Sequence, residues 1–291
     1  MVDPTYTRNT LHPRTDADRG APLERSFQFA YDADLIMNHS GLGQEAERLD
    51  KPMMLVAHGR PRSSFIAEAS GGTPIYSYHY AINRDRRYRG VITFWPQHEP
   101  YLRVMMPDKP VHVISPPVDL DAWSPNGPAT YDFGGCRGEH NVVIADAWRD
   151  DVDPYEAVNC FALWARGQKG AKLHIYGQQK RGRGWGALIK RIADDGNMGE
   201  WRGWVKGLAH VYRAATMVIT PHMIDTRTVR EAMACGCPVV RIQDIHLDQS
   251  RMAFARTANR ARIRTTAESK FNPSRTATEL LATIHESRAA A

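Results

Sequence analysis

Within seven residues, Asp225, Thr226, Arg227, Thr228 and Glu231 set two carboxylates, two hydroxyls and a cation between an apolar run and a helix-like segment. The stretch around them is TMVITPHMIDTRTVREAMACGCPVV, residues 216–240. The apolar run from Met217 to Ile219 stops at Pro221, the helix-like segment ends at Gly236, and Pro238, Val239 and Val240 begin another apolar run. Strand, loop, helix and strand in that order are half of a nucleotide-binding domain. In an open parallel sheet, ligands sit beyond the carboxyl ends of the strands, where helix N-termini turn bare N–H groups toward anions. A diphosphate finds donors in such a loop, and sugar or ribose hydroxyls find carboxylates. The plainer reading stands beside it: Thr226 or Thr228 caps the helix, with Thr228 and Glu231 forming a capping box.

Two other places carry chemistry. After Gly177 comes QQKRGRGWG, in which Lys180, Arg181 and Arg183 sit among glycines. Glycine lets the backbone approach a ligand closely and arginine grips phosphate in a fork, so the loop is either a diphosphate contact or an exposed basic loop. The run PMMLVA (52–57) ends at His58-Gly59. An imidazole at a strand's carboxyl end is placed for chemistry or for a hydrogen bond across a cleft. Cys136, Cys160, Cys235 and Cys237 include no Cys-x-x-Cys pair and no zinc-like spacing with histidine, which points to a reduced, cytoplasmic setting; Cys235 and Cys237 read as small core residues.

The elements that must hold these groups alternate. Short strands are expected at 34–37, 52–57, 91–94 and 111–114, then at 141–145 and 172–176, with helices at 154–166, 187–194 and 208–215. Residues 64–69 also fit a helix, and 74–80 reads as an aromatic strand. This alternation argues for an α/β protein with doubly wound parallel sheets. The Pro-rich stretch 115–128 reads as a boundary, because Pro116 and Pro117 disfavour helix and cannot donate to a central ladder. The expected organisation is an extended arm over 1–25, a first domain over 26–120, a linker over 121–140, a second domain over 141–275 and an amphipathic C-terminal helix over 276–291.

Composition sets outer bounds. The chain has 291 residues, 42% of them hydrophobic, and a formal net charge of +6, which suits a globular protein with an anionic partner without choosing among phosphate ligands, nucleic acid and membrane surfaces. No stretch approaches the ~20 apolar residues that span a bilayer, so peripheral contact is the only membrane role expected. The run NRDRRYR (83–89), with Tyr78, Tyr80 and Tyr88 nearby, is either a solvated face or a nucleic-acid contact.

Taken together, VISPPVDLDAWSP (113–125), GWVKGLAHVYRAATMVITP (203–221) and EAMACGCPVV (231–240) resemble signatures of the retaining GT-B glycosyltransferases of the glycogen-synthase-like, family 4-like group. The resemblance covers about 114–240 well and the N-terminal third weakly, where the acceptor-side domain looks trimmed. It implies two Rossmann-like domains facing a cleft and transfer of a hexose, with retention, from a nucleoside diphosphate sugar to an acceptor hydroxyl. No metal or other cofactor is implied, since no Asp-x-Asp suited to a cation–diphosphate bridge stands where the fold would use it, and the DLD at Asp119 to Asp121 falls in the linker signature. The acceptor is left open between lipid, glycan, protein and DNA, a hydroxylated base being the DNA version; a degenerate fold that binds without turnover is the further alternative.

Residue by residue, Glu231 matches the second Glu of the family's Glu-x7-Glu motif, which holds the donor's ribose. Met223 stands where the first Glu belongs, and Asp225 is the nearest carboxylate to substitute in the catalytic role. Asp225, Thr226 and Arg227 correspond roughly to the loop glycines that offer N–H groups to diphosphate and hexose. His58-Gly59 looks like the N-domain His-Gly whose imidazole lies near the donor sugar. The family's Arg and Lys for the diphosphate have no clean counterpart: Arg149 is out of register and Asp153 stands where the Lys is expected. Arg149, Lys180, Arg181, Arg183 and Arg227 are the cations available to compensate.

Overall fold

The structure, a computed structural model, describes residues 34–39, 50–57, 75–146, 155–177, 185–222, 224–242 and 249–289. It divides into two compact units, residues 1–115 with 277–291, and residues 116–276. The first division falls at Ser115, and residues 121–140, expected as a linker, pack within the second unit: Phe133 is fully buried in a cluster with Val143, Tyr176 and Val218, and Trp123 and Tyr131 pack against it. Asp119 is a turn residue there, its Oδ1 accepting from the N–H groups of Asp121 (3.1 Å) and Ala122 (2.9 Å).

In the first unit the described strands are β1 (Ile36–His39), β2 (Met53–Ala57), β3 (Tyr88–Thr93) and β4 (Val111–Val113), all parallel and in the order β1-β2-β3-β4. Every residue of β2 is buried, the mark of a parallel strand covered on both faces. Helices α1 (Ile75–Arg84) and α2 (Glu99–Met105) connect them. The aromatic segment expected as a strand is therefore the start of α1. Its reason is spacing: His79 and Ile82, three apart, are buried while Tyr80 is exposed, and Arg84 lies over the Tyr80 ring one turn on. The basic run is not one solvated face either, because Tyr88 opens β3 in the core and Arg87 is paired with Asp85 at 2.6 Å.

The second unit holds β5 (His140–Ala145), β6 (Ala171–Tyr176), β7 (Met198–Arg202), β8 (Met217–Thr220) and β9 (Val239–Arg241), all parallel, in the order β7-β6-β5-β8-β9. Among the described strands, only here does the order reverse, between β5 and β8, so the doubly wound expectation is met by this unit; the first runs one way. Helices α3 (Tyr155–Ala165), α4 (Trp185–Asp194), α5 (Leu208–Ala214), α6 (Arg227–Ala234), α7 (Gln249–Arg256) and α8 (Arg260–Lys270) follow in chain order. Leu173, Ile175, Val158, Phe161 and Trp164 make the larger core, on the face of the sheet carrying α3 and α4. The last helix, α9 (Pro273–Ala289), belongs to the first unit from Ala277 onward, where Ser287 Oγ donates to the Thr283 carbonyl at 2.7 Å. The expected arm, the 64–69 helix, His58, Arg149, Lys180, Arg181, Arg183, Asp153 and Met223 lie outside the described residues.

Candidate functional site

In open α/β sheets ligands bind where the strand order reverses, and the chain places polar groups at the carboxyl ends of β5 and β8, the two strands of that reversal. Asp146 follows β5, while β8 ends at Thr220 with His222 two residues on. All three are buried. Thr220 Oγ1 donates to Asp146 Oδ2 (3.0 Å) and accepts from the His222 N–H (3.2 Å), and His222 Nε2 lies 3.6 Å from Asp146 Oδ1. Neither Asp146 nor His222 stood out in the sequence; the only signal was their place directly after an apolar run.

Helix α6 begins beside these groups, its first turn bonded to the end of β5. Val229, Ala232 and Ala234 are its buried apolar positions, and it stops in a left-handed turn. The Cys237 N–H returns to the Ala232 carbonyl and the Gly236 N–H to Met233, both at 2.9 Å, with Gly236 at φ 70°. Cys235 and Cys237 at this end are free and fully buried, and burial pushes their thiols up to about 11 and about 12. They are core residues without a nucleophile's character.

The expected capping box does not form. The helix starts at Arg227, so Thr226 is the N-cap, and its side chain makes no capping bond. Thr228 Oγ1 donates instead to the Ala145 carbonyl (2.8 Å), which fastens the first turn of α6 to the end of β5. Thr226 Oγ1 is buried without a hydrogen-bond partner among the described residues.

Glu231 lies one turn into the helix and is 5% exposed. Burial raises its carboxyl above the ordinary glutamate range; the hydrogen bond from Arg227 Nε (2.5 Å) and the charges of Arg227 and Arg230 pull the other way. The Tyr212 phenol, fully buried, is raised by burial and then by the Glu231 and Asp146 carboxylates. Arg230 reaches out of α6 to the Pro117 carbonyl (2.5 Å), and burial lowers its basicity.

Asp225, the carboxylate expected to stand in for the family's first Glu, is engaged on both oxygens. It is 6% exposed, Oδ1 is bonded to Arg241 at the end of β9, and Oδ2 accepts from Lys270 Nζ at the end of α8 (2.5 Å). Asp225, Thr226, Arg227, Thr228 and Glu231 are thus brought together, with Arg241 and Lys270 as partners from distant segments. Among the described residues no group of three His, Cys, Asp or Glu side chains is placed to hold a metal ion, and no helix is long and apolar enough to cross a membrane.

Comparisons with known proteins fit this geometry. Residues 156–247, which include α6 and the loop before it, match the family model described as glycosyl transferases group 1. No curated protein sequence matches the chain. Among solved structures, a glycosyltransferase from Rickettsia africae aligns with TM-score 0.65 at 11% identity, over 95% of this chain and 83% of that one. The sucrose-phosphate synthase of Thermosynechococcus elongatus aligns with TM-score 0.66 at 17% identity, over 92% and 77%. Anabaena HepE, solved with UDP and glucose, aligns with TM-score 0.63 at 15% identity, over 94% and 84%. At these identities the likeness is one of fold, and the fold is GT-B.

Proposed function

We propose that this chain, a glycosyltransferase by its group 1 domain and GT-B fold, moves a hexose from a nucleoside diphosphate sugar to an acceptor hydroxyl with retention at the anomeric carbon. The observation that carries the reading is α6: its uncapped N-terminus opens at the β5/β8 reversal, with buried Glu231 one turn behind. The first-turn N–H groups of Arg227, Thr228 and Val229 have no carbonyl inside the helix to bond, and the helix dipole adds a partial positive charge, so an anionic diphosphate is held there. Glu231, oriented by its hydrogen bond from Arg227, accepts from the ribose hydroxyls. HepE, the fold neighbour solved with UDP-glucose, supports the donor class.

The step is then a displacement at carbon. The acceptor oxygen bonds to the anomeric carbon, the bond from that carbon to the diphosphate oxygen breaks, and the acceptor proton leaves with the diphosphate. Stabilising the charge that develops on the departing phosphate is the protein's main contribution, and helix N–H groups and cations supply it without a metal in this reading. His58 is assigned to the sugar side, and Arg149, Lys180, Arg181 and Arg183 to the diphosphate, on the resemblance alone.

A panel of nucleotide sugars, each scored for thermal stabilisation and for release of free nucleoside diphosphate, tests this. A ligand at 100 times its Kd stabilises by about 2.7 kcal/mol, well within reach of a melting assay. One donor should stabilise the protein and be consumed, and Glu231→Ala should abolish both; if no nucleotide binds, the reading is wrong. Because Asp225 is engaged by two cations, a second reading is a binding protein without turnover: it predicts stabilisation by a nucleotide sugar with no diphosphate release. Of the motives for the DNA-acceptor version, the basic run 83–89 is weakened, since Tyr88 is core and Arg87 is paired, while the basic charge balance stands.

A further inference from the structure

We infer that the outward surface shared by α1 and α2, in the first unit, docks on an anionic lipid bilayer. The inference is independent of the donor site. It starts from side chains that packing does not explain: Tyr80 on α1 is 52% exposed and Val104 on α2 is 76% exposed. A single exposed apolar residue is ordinary, but these two share one surface with unpaired cations. The contacts between the helices show it. Tyr101 of α2 meets His79 of α1, its hydroxyl 3.3 Å from Nδ1, and beyond the helix ends Asn83 Nδ2 donates to Asp108 Oδ2 at 2.8 Å. His79 and Ile82 are buried, so Tyr80 and Arg84, four apart, ride the outward side of α1. Leu102 and Met105 are buried in α2, which leaves Val104, three residues past Tyr101, on the outward shoulder of that helix.

Charge selects the partner. Residues 80–109 hold six cations and three acids. Asp85 is taken by Arg87 at 2.6 Å and Glu99 by Arg103 at 2.8 Å, while Arg84 and Arg86 are exposed and form no ion pair among the described residues. A headgroup layer offers these two guanidinium groups phosphates, to which arginine bonds in a fork. At the same depth the boundary with hydrocarbon accepts a tyrosine ring, an aliphatic side chain and the methylene stems of the arginines. A nucleic acid fits less well. Base stacking needs an open aromatic face, but the Arg84 guanidinium lies over the Tyr80 ring, 5.0 Å from its centroid, and valine has no face to stack. The basic run 83–89 therefore divides: Arg87 and Tyr88 belong to the fold, and Arg84 and Arg86 to the surface.

Flotation of the full chain with vesicles of phosphatidylcholine alone, and of phosphatidylcholine with phosphatidylglycerol, tests this. Binding should require phosphatidylglycerol and fade as added salt screens the surface. Replacing both arginines, Arg84→Gln with Arg86→Gln, should weaken it roughly thirtyfold, the scale of two arginines near an anionic surface, with UDP binding unchanged. Val104→Asp should weaken it as well, through the apolar contact. Wild type that ignores the anionic vesicles, or floats equally with phosphatidylcholine alone, overturns the inference, as does a double variant that floats like wild type. Wild type that leaves the vesicles and retains a duplex oligonucleotide also overturns it and makes this a nucleic-acid surface. Hydrogen exchange on wild type removes any dependence on variant folding: phosphatidylglycerol vesicles should protect the amides of 80–84 and 101–105, and vesicle-bound protein with those amides unprotected overturns the inference.

Discussion

Replacing Glu231 by Gln separates the stability of the fold from its chemistry. The carboxylate is 5% exposed, and its largest perturbation is desolvation, which raises its pKa; the opposing Arg227 bond comes from a side chain that is 79% exposed and contributes little, about 0–1 kcal/mol. A group that holds its proton more tightly when folded lowers stability as pH rises from the ordinary glutamate value to the raised one, and by a constant amount above it. Glutamine has no such term. Glu231→Gln should therefore melt at or above the wild-type temperature at pH 7, with the gap narrowing toward pH 4. Each 1 kcal/mol corresponds to about 2–4 °C for a unit of this size. Donor binding moves the other way. A hydrogen bond to a charged acceptor contributes about 1.5–3 kcal/mol, so UDP affinity should fall roughly ten- to a hundredfold. The assay is thermal unfolding over pH 4–8 with and without UDP, with calorimetry at pH 7. A variant that melts several degrees lower at pH 7 yet binds UDP like wild type would falsify the assignment and make Glu231 a structural acid.

Other outcomes follow from single contacts. His174 is fully buried, its Nε2 bonded to Asn141 Oδ1 (3.0 Å) and its Nδ1 accepting from the Glu200 N–H (3.0 Å), and burial first, then Lys172, pushes it down to about 3. Because the folded state binds this proton less tightly than the unfolded chain, stability is lost as pH falls below about 6.5, by about 1.4 kcal/mol per unit, and urea unfolding between pH 7 and 5 should show a steeper loss in wild type than in His174→Gln. Arg264 donates to the carbonyls of Trp123 (2.6 Å), Ala234 (2.7 Å) and Leu120 (3.1 Å), so Arg264→Met strands acceptors at the end of α6 and should cost about 1–3 kcal/mol in chemical denaturation; a loss under half that would mean water replaces the guanidinium. A Cβ at Gly138 would sit 2.2 Å from the Gly170 carbonyl oxygen, backbone that cannot rotate away, and Gly138→Ala should destabilise by about 1–3 kcal/mol, an unchanged melting temperature counting against the packing described.

What could be read from the sequence was set by how local the physical cause is. β2 and β8 were legible because a strand buried on both faces is a continuous apolar run. Glu231 and its neighbours were legible as a group because strand, loop and helix are consecutive. The helix at 75–84 was misread because its aromatic content suits a strand and only burial shows the three-residue spacing. Helix α8, RARIRTTAESK, offers no apolar stripe at all: Ala267 is its one buried residue, and Arg264 anchors it to the carbonyls of Trp123, Leu120 and Ala234.

The same distinction decides the chemistry at Asp225. Its carboxylate was visible, but its partners lie 16 and 45 residues further on, in β9 and α8, and no spacing rule links them. Read alone, Asp225 is the nearest carboxylate to substitute for the family's first Glu; in the structure it is a buried acid bonded to Arg241 and Lys270 directly before the N-cap of α6. A carboxylate with both oxygens engaged by cations from β9 and α8 ties the loop before α6 to those two elements, and that tie is set by the fold of the whole second unit, not by any local spacing.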